Sequence, residues 1–173
     1  MNILPQAHEE TLRMICNKLS ETDIIWVLTA SASLAAQGMD LIPSDIDIQT
    51  NDMDAYKIAE LLKEIPITSE ILPVEFSTTE KMRSHFGRLE IGGVLIEIMG
   101  NMQKYCEGEW EEIPNLPSLV EYMDYKDMKL PIFNIAYEAA HYKKMKRFER
   151  AAQIEAFMQQ TDIVNFGNCS DNK

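Results

Sequence analysis

Two aspartates separated by one isoleucine form the pattern in this sequence that is best suited to chemistry. Asp45 and Asp47 belong to the run Ser-Asp-Ile-Asp-Ile-Gln-Thr, in which acidic and apolar residues alternate. Because successive side chains of a strand point to opposite faces, the two carboxylates would share one face. Mg²⁺ prefers oxygen ligands and needs only one or two protein carboxylates when substrate phosphates complete its shell. The alternative is a half-buried edge strand with an acidic outer face, so the surrounding elements must decide.

A strand followed at once by a small-residue turn lies just ahead of these aspartates. Residues 24–28 form a short β-branched and aromatic run that is typical of a buried strand. Residues 29–38 are mostly small, start at a Thr or Ser cap and end at a glycine, which predicts a short helix. The free backbone N–H groups and the hydroxyl at Ala30-Ser31 would then suit a phosphate chain.

A later hairpin supplies a third acid. Gly92-Gly93 joins two β-rich runs, residues 85–91 and 94–99, and is a strong signal for a two-residue hairpin turn. In the second run, alternation directs Val94, Ile96 and Ile98 toward the core and leaves Glu97 on the other face. We therefore expect a third carboxylate on a strand of the sheet.

The remaining segments predict further strands with helices at both ends of the chain. Residues 51–65 predict a helix that is capped by Asn51 or Asp52 and ends before Pro66, with an apolar stripe of Met53, Tyr56, Ala59 and Leu62. Residues 100–117 predict a loop with a short strand near its end. The other predictions are an amphipathic helix at 7–20, a strand at 71–76, strands or extended segments at 119–125 and 128–132, and helices at 134–145 and 148–158.

The composition is that of a globular protein with an acidic surface. The chain has 173 residues, of which 46% are hydrophobic and 25% charged, and its formal net charge is -12. This charge would repel a phosphate backbone and gives no counterion-release drive, so a long nucleic acid is not expected as a partner. A single nucleotide carried on metal ions is still compatible with it.

Cysteine content and hydropathy indicate the compartment. The three cysteines are far apart and odd in number, so neither a disulfide framework nor a cysteine-rich zinc site is indicated. No apolar run is long enough to span a bilayer, and no leader-like segment is recognisable. We expect a soluble protein of the reducing cytoplasm with no membrane partner.

Taken together, the motifs resemble those of the nucleotidyltransferase superfamily that includes DNA polymerase β, and in particular its small bacterial antibiotic-adenylylating and uncharacterised members. The family pattern is a hydrophobic strand, Gly-Ser, a short helix, Asp-hydrophobic-Asp and a third carboxylate on a later strand. In this sequence the pattern corresponds to segments 27–31, 45–48 and 96–98. Segments 83–87, 94–100 and 142–147 also look like segments of one uncharacterised bacterial group of the superfamily.

The resemblance implies a fold and a domain organisation. The fold would be α/β (α+β), with a mixed, mostly antiparallel nucleotidyltransferase sheet flanked by helices. Residues 1–130 would form the nucleotidyltransferase-like domain, residues 131–164 a small C-terminal helical pair packed on it, and residues 165–173 a flexible tail. The sequence leaves the oligomeric state open, and a homodimer is one of the states it allows.

The resemblance also implies a reaction. A nucleoside monophosphate, AMP from ATP or the corresponding group of another NTP, would move to a hydroxyl of an unknown small-molecule acceptor, with release of pyrophosphate. Asp45 and Asp47 would ligate Mg²⁺, and Glu97 would bind a second ion or take the proton of the attacking hydroxyl. Two ions would be present in the active complex.

Basic residues are candidates for contacts with the nucleotide. Arginine is suited to bidentate recognition of phosphate, but Arg83 with His85 is equally compatible with a surface pair on a twisted strand. The basic run around Lys143 and Arg147 is either a solvated helix face or a group that reaches the triphosphate. The nucleotide-binding set that we predict is Ala30, Ser31, Arg83, Lys143 and Arg147.

Two departures from the family pattern leave another function open. Ala30 stands where the family has glycine, and its Cβ would crowd a turn that brings backbone close to phosphate. The third carboxylate is Glu97 rather than an aspartate. The alternative function is a catalytically weak nucleotide-sensing or antitoxin-like partner-binding module. Nucleotide addition to nucleic-acid ends is a third hypothesis, which the acidic charge disfavours.

Overall fold

The computed structural model describes residues 4–167, with side chains up to residue 161. The chain divides into two compact units, Met1–Phe133 and Asn134–Lys173. The division lies three residues beyond the predicted boundary between residues 130 and 131. Packing of the helical pair on the larger domain stays a prediction.

The first unit is an α/β domain built on a mixed sheet. Its strands are β1 (Trp26–Thr29), β2 (Asp45–Thr50), β3 (Thr68–Thr78), β4 (Met82–Ile91), β5 (Val94–Cys106), β6 (Glu109–Trp110), β7 (Val120–Tyr125) and β8 (Met128–Phe133). Its helices are α1 (Gln6–Leu19), α2 (Ala30–Ala36), α3 (Asp52–Lys63) and α4 (Leu116–Leu119).

The strand order confirms the predicted sheet type. The order is β3-β4-β5-β2-β1-β8-β7, and β6 pairs with β5 outside this path. The β2–β5 and β1–β8 pairs are parallel, whereas the other pairs within the described residues are antiparallel. The sheet is therefore mixed and mostly antiparallel.

The central strands β2, β4 and β5 have two chemically different faces. One face, here called the helix-covered face, is apolar and packs with α1 and α3 in one core cluster. Six of its strand residues are at most 1% exposed: Ile46, Ile48, Leu89, Ile91, Ile96 and Ile98. The alternate residues, which include Asp45, Asp47 and Glu97, point to the opposite face. We call this second surface the carboxylate face.

The apolar face of α3 differs from the predicted stripe. The helix buries Ala55, Ile58, Ala59 and Leu62, whereas Met53 is 64% exposed and Tyr56 38% exposed. The prediction placed apolar residues at every third position. In a helix of 3.6 residues per turn such residues move gradually around the axis, whereas residues at i, i+3, i+4 and i+7 stay on one face. The predicted cap is confirmed, because the Asn51 side chain accepts a hydrogen bond from the Asp54 backbone N–H at 2.8 Å.

The β4–β5 hairpin is confirmed, but its second strand is longer than predicted. Gly92 and Gly93 have φ values of 59° and 84°, as a type I′ turn requires. The strand continues to Cys106, so the loop predicted at 100–117 is wrong in its first seven residues. Gly100 lies within the strand and does not break it. A Cβ at this residue would lie 2.7 Å from the Asn51 carbonyl oxygen and 2.8 Å from the Ala55 Cβ. Glycine therefore allows the start of α3 to cross close to β5.

The second unit contains the two predicted C-terminal helices, α5 (Ile135–Lys144) and α6 (Phe148–Gly167). The Asn134 side chain caps α5 by accepting a hydrogen bond from the Ala136 N–H at 2.9 Å. Ala139 and Tyr142 of α5 and Ala151 and Ile154 of α6 are buried. The backbone of α6 continues past residue 164 to Gly167, and residues 168–173 of the predicted tail lie outside the described residues. Within the described part of the chain, no helix is both long and apolar enough to cross a membrane.

Candidate active site

Three carboxylates converge on the carboxylate face. Asp45, Asp47 and Glu97 each offer an oxygen atom, and these oxygens all lie within 4.8 Å of one another. Asp45 and Glu97 are half-buried, and Asp47 is 9% exposed. The parallel pairing of β2 with β5 is the cause, because it sets Asp47 directly opposite Glu97. The structure thus brings together the three residues that were predicted as catalytic and metal-binding.

A row of paired residues extends from this cluster across four strands. Thr29 of β1 is opposite Asp47, Asp47 is opposite Glu97, and Glu97 is opposite Arg88 of β4. The Arg88 guanidinium contacts Glu97 Oε1 through Nη2 at 2.7 Å and through Nε at 2.8 Å. Sequence reasoning missed Arg88, although the signal was present. The predicted turn lies between Ile91 and Val94. Arg88 precedes Ile91 by three residues and Glu97 follows Val94 by three, so the hairpin pairs Arg88 with Glu97.

The donor set fits a hard divalent cation. Three carboxylates within 4.8 Å of one another repel, with each pair costing about 1 to 3 kcal/mol depending on the local dielectric. Arg88 offsets part of this charge through Glu97. Oxygen-only donors of this kind match Mg²⁺ better than they match Zn²⁺, which favours nitrogen and sulfur ligands.

The predicted phosphate turn lies at the same level of the sheet as the carboxylates. Helix α2 begins at Ala30, directly after Thr29, which is opposite Asp47. Ala30 has a φ of 57°, in the left-handed region where a Cβ costs roughly 1–2 kcal/mol. Ser31 is half-buried in the first turn of α2. The structure therefore places Ala30 and Ser31 beside the row that contains Asp47, with strain at the position of the family glycine.

Arg83 lies far from the carboxylates along the sheet. Its Nε donates to Gln103 Oε1 at 3.0 Å, and its guanidinium carbon is 4.5 Å from the centroid of the Trp110 ring. Gln103 follows Glu97 by six residues on β5, a separation of roughly 20 Å in a strand. His85 is opposite Gly100 on the helix-covered face, where its Nδ1 lies 3.0 Å from the Tyr56 hydroxyl. A nucleotide-binding role for Arg83 stays a prediction.

Lys143 and Arg147 belong to the second unit. The Lys143 ammonium forms an ion pair with Glu155 of α6. The Arg147 guanidinium carbon lies 5.8 Å from the centroid of the Tyr142 ring. Both side chains are exposed. Their contact with a triphosphate stays a prediction.

A buried histidine lies near the start of β2 and was not predicted as part of the site. His8 of α1 is 9% exposed, and among the described residues neither of its ring nitrogens has a hydrogen-bond partner. Burial lowers the pKa of His8, and the nearby Asp45 carboxylate and Ser44 backbone only partly counteract this effect. The imidazole beside the site is therefore held mainly in its neutral form. A single histidine in an amphipathic helix carries no sequence signal for this position.

Comparison with known proteins places the chain among nucleotide-transferring enzymes. The sequence model of the aminoglycoside-2″-adenylyltransferase family matches residues 11–155. A crystal structure of a Thermotoga maritima protein assigned as a nucleotidyltransferase is 34% identical, covers 92% of this chain and 97% of its own, and has a TM-score of 0.78. A search of curated proteins gave no significant match.

Two more distant structures share the fold. ANT(2″)-Ia in complex with adenylyl-2″-tobramycin is 8% identical, with a TM-score of 0.58 over 92% of this chain and 95% of its own. The lincosamide antibiotic adenylyltransferase LnuA, in a lincomycin-bound structure, is 15% identical, with a TM-score of 0.51 over 80% of this chain and 86% of its own. At these identities the likeness is one of fold.

Proposed function

Because the chain belongs to the aminoglycoside-2″-adenylyltransferase family and is therefore a nucleotidyltransferase, we propose that it transfers AMP from Mg²⁺-bound ATP to a hydroxyl group of a small molecule. The observation that carries this proposal is the convergence of Asp45, Asp47 and Glu97 within 4.8 Å. This geometry is what nucleotidyl transfer needs from a protein: a rigid anionic cluster beside a place for a phosphate chain.

The proposed reaction is a displacement at the α-phosphorus of the nucleotide. The acceptor hydroxyl oxygen forms a bond to that phosphorus, and the bond from phosphorus to the bridging oxygen of the β-phosphate breaks, so pyrophosphate leaves. The hydroxyl proton goes to a base, and Glu97 is the candidate unless it holds a second ion. Asp45 and Asp47, on the rigid strand β2, would hold Mg²⁺. When bound, Mg²⁺ would supply charge neutralisation for the attacking and leaving oxygens.

The protein groups beside the carboxylates would position the nucleotide. Backbone N–H groups at the start of α2, together with the Ser31 hydroxyl, are donors suited to phosphate oxygens. They lie next to Thr29, which is opposite Asp47, so phosphate and cation would meet at one level of the sheet. Lys143 and Arg147 remain candidates for the distal phosphates.

The proposed acceptor class is a hydroxyl-bearing antibiotic or a molecule of similar chemistry. The family model carries this choice, since it describes adenylyl transfer to the 2″ position of aminoglycosides. The structures of ANT(2″)-Ia and LnuA hold an adenylylated aminoglycoside and a lincosamide, respectively. An acidic protein also favours a cationic acceptor, and the net charge of -12 fits a polyamine sugar.

A catalytically weak nucleotide-sensing module is the second candidate, and Ala30 is the observation that favours it. Its φ of 57° shows that the turn keeps the backbone shape suited to glycine while carrying a Cβ. A methyl group at this point would hold the phosphates away from the N–H groups of α2. Such a site would bind nucleotide without efficient transfer.

Calorimetry tests the nucleotide site directly. Wild-type protein titrated with ATP in the presence of Mg²⁺ should release or absorb heat with a saturable profile, whereas Asp47→Ala should lose binding at least tenfold. Asp127→Ala is the matched control, because Asp127 is an exposed carboxylate paired with Arg13 on another part of the first unit. If the wild-type protein does not bind ATP with Mg²⁺, the enzyme proposal fails.

Product analysis separates the two candidate functions. The protein is incubated with α-labelled ATP, Mg²⁺ and single aminoglycosides or lincosamides, and both pyrophosphate and labelled antibiotic are measured. The transferase proposal predicts equal amounts of the two products for at least one acceptor. Tight ATP binding with neither product across the panel would support the sensing module instead.

A further inference from the structure

Arg88 is a basic side chain that contacts the carboxylate cluster across the β4–β5 hairpin. Its Nη2 and Nε lie 2.7 and 2.8 Å from the same atom, Oε1 of Glu97. The hairpin register holds the two residues directly opposite each other. Glu97 therefore lies between Asp47 on one neighbouring strand and a guanidinium on the other.

This ion pair competes with the proposed use of Glu97 as a metal ligand. A divalent cation bound to the three carboxylates would need the negative charge of Glu97, which the Arg88 guanidinium also uses. The two positive groups would in addition repel each other at such close range. Cation binding therefore favours an arrangement in which Arg88 has left Glu97.

The Arg88 guanidinium borders solvent and is suited to a different partner. The Arg88 side chain is 44% exposed, against 18% for Glu97, and besides Glu97 its guanidinium carbon lies 5.3 Å from the centroid of the Phe86 ring. Ion pairs with this exposure are weak and exchange their partners at little cost. The planar guanidinium fork matches the paired oxygens of a phosphate group. A nucleoside triphosphate brought to the cluster would present several such groups near Arg88.

We infer that Arg88 is a nucleotide-binding residue that pairs with Glu97 in the ion-free protein and with a phosphate group of the nucleotide when cation and nucleotide are bound. This inference rests on the proposed function and adds to it a residue outside the carboxylate set. The competing explanation is a fixed ion pair that only joins β4 to β5.

The test measures cation binding and nucleotide binding separately in Arg88→Met, which removes the charge and keeps an apolar stem. Mn²⁺ binding without nucleotide is measured from the free-ion signal in electron paramagnetic resonance. Binding of α,β-methylene-ATP, which cannot be cleaved at the reacting bond, is measured by calorimetry with Mg²⁺. Arg13→Met is the matched control, because Arg13 is also a half-exposed arginine paired with carboxylates, on α1.

The inference predicts changes of opposite sign in Arg88→Met. Mn²⁺ affinity without nucleotide should rise about two- to fivefold, because a competing cation of ordinary ion-pair strength is removed. Affinity for the nucleotide analogue should fall about tenfold or more, because a charge-assisted contact is lost. Arg13→Met should change neither affinity. Arg88→Lys keeps the charge without the fork and should bind Mn²⁺ as the wild type does, with intermediate nucleotide affinity.

Other outcomes overturn the inference. If Arg88→Met weakens both affinities, or leaves nucleotide affinity at the wild-type value, the arginine is a fixed structural partner of Glu97. Should Arg88→Met fail to fold, as judged by circular dichroism, Arg88→Lys decides, and wild-type nucleotide affinity in that variant contradicts bidentate phosphate contact. A wild-type protein that binds neither Mn²⁺ nor the analogue is a different result, because it removes the proposed function itself.

Discussion

The two faces of β2, β4 and β5 are made from the same strands at alternating positions, yet they differ in polarity, charge and exposure. The helix-covered face is mostly apolar, and six of its isoleucine and leucine side chains are at most 1% exposed. The carboxylate face carries three acids within 4.8 Å of one another, and Arg88 contacts one of them. Burial of apolar surface on the first face stabilises the fold, whereas charge repulsion on the second opposes it. Neighbouring residues in one strand are therefore expected to respond to mutation in opposite ways.

The largest contrast is expected for Asp45 on the carboxylate face. Asp45→Asn should lower transfer activity about a thousandfold, because loss of a proposed ligand removes several kcal/mol of transition-state stabilisation. The same change should leave unfolding free energy unchanged or raise it by about 1 kcal/mol, since one of three repelling charges is removed. Pyrophosphate release and urea denaturation without Mg²⁺ measure the two effects. A large loss of stability would show that the two faces are not independent.

Gly100 provides the opposite case on the helix-covered face. Gly100→Ala places a Cβ 2.7 Å from the Asn51 carbonyl oxygen and 2.8 Å from the Ala55 Cβ. We expect about 2 to 3 kcal/mol of destabilisation from this overpacking, measured by urea denaturation. Gly93→Ala is the control, because nothing lies within 4 Å of the added atom and only its φ of 84° is strained. A loss for Gly100→Ala no larger than that for Gly93→Ala would contradict the overpacking, because Gly100, unlike Gly93, does not have a positive φ.

The helix-covered side can also be probed through Cys16 of α1, which packs against the core. Burial raises the pKa of the Cys16 thiol from 9.0 to about 11. Iodoacetamide at pH 8 should alkylate it about tenfold more slowly than it alkylates a peptide of residues 11–21, because the smaller thiolate fraction outweighs the higher nucleophilicity. Mass spectrometry of the Cys16 peptide gives the rate. A rate equal to that of the peptide would show that α1 opens readily.

The raised pKa of Cys16 determines how its contribution to the free energy of unfolding changes with pH. The folded state holds the Cys16 proton more tightly than the unfolded state does, so this contribution to stability is complete below pH 9 and is lost as pH rises toward 11. Cys16→Ser should therefore show a smaller loss of unfolding free energy between pH 8 and pH 10.5. If the unfolding free energy of Cys16→Ser falls with pH as steeply as that of the wild type, the loss of stability at alkaline pH comes from other groups.

The smallest effect is expected at Ala30, where α2 begins next to the row of residues that contains Asp47. Ala30→Gly should stabilise the protein by about 0.5 to 1 kcal/mol, because glycine adopts a φ of 57° without strain. Ala32→Gly is the control in the same helix and should destabilise by about 1 kcal/mol or more. Thermal denaturation gives both signs. If Ala30→Gly also tightens ATP binding, the methyl group limits approach of the phosphates; a destabilised Ala30→Gly would contradict the strain argument.

Local signals in the sequence were sufficient for several elements. The alternation in residues 45–50 predicted β2 with its observed bounds, Gly92-Gly93 predicted the hairpin turn, and Asn51 was one of two predicted caps of α3. These features depend on residues close together in the chain. The expectation that Glu97 and the two aspartates would share a sheet also agrees with their observed separation.

The parts that were wrong or missed depend on contacts between distant segments. Gly100 looked like a strand breaker because its partner, the start of α3, is not visible from local sequence. The position of Arg88 opposite Glu97 follows from the hairpin register, but its importance depends on β5 also pairing with β2. The strain at Ala30 is a property of the turn geometry and not of residue type.

The parallel pairing of β2 with β5 has a consequence for the order of folding. Asp47 and Glu97 are about fifty residues apart in the chain, so closing that distance costs more chain entropy than forming the β4–β5 hairpin does. We therefore expect the hairpin, with its Arg88–Glu97 pair, to form before the carboxylates meet. In stopped-flow refolding with Mn²⁺, ion uptake should coincide with the slowest phase, and uptake in an earlier phase would contradict this order. A nascent or partly folded chain would then be unable to bind the cation, so cation binding would indicate that the sheet is complete.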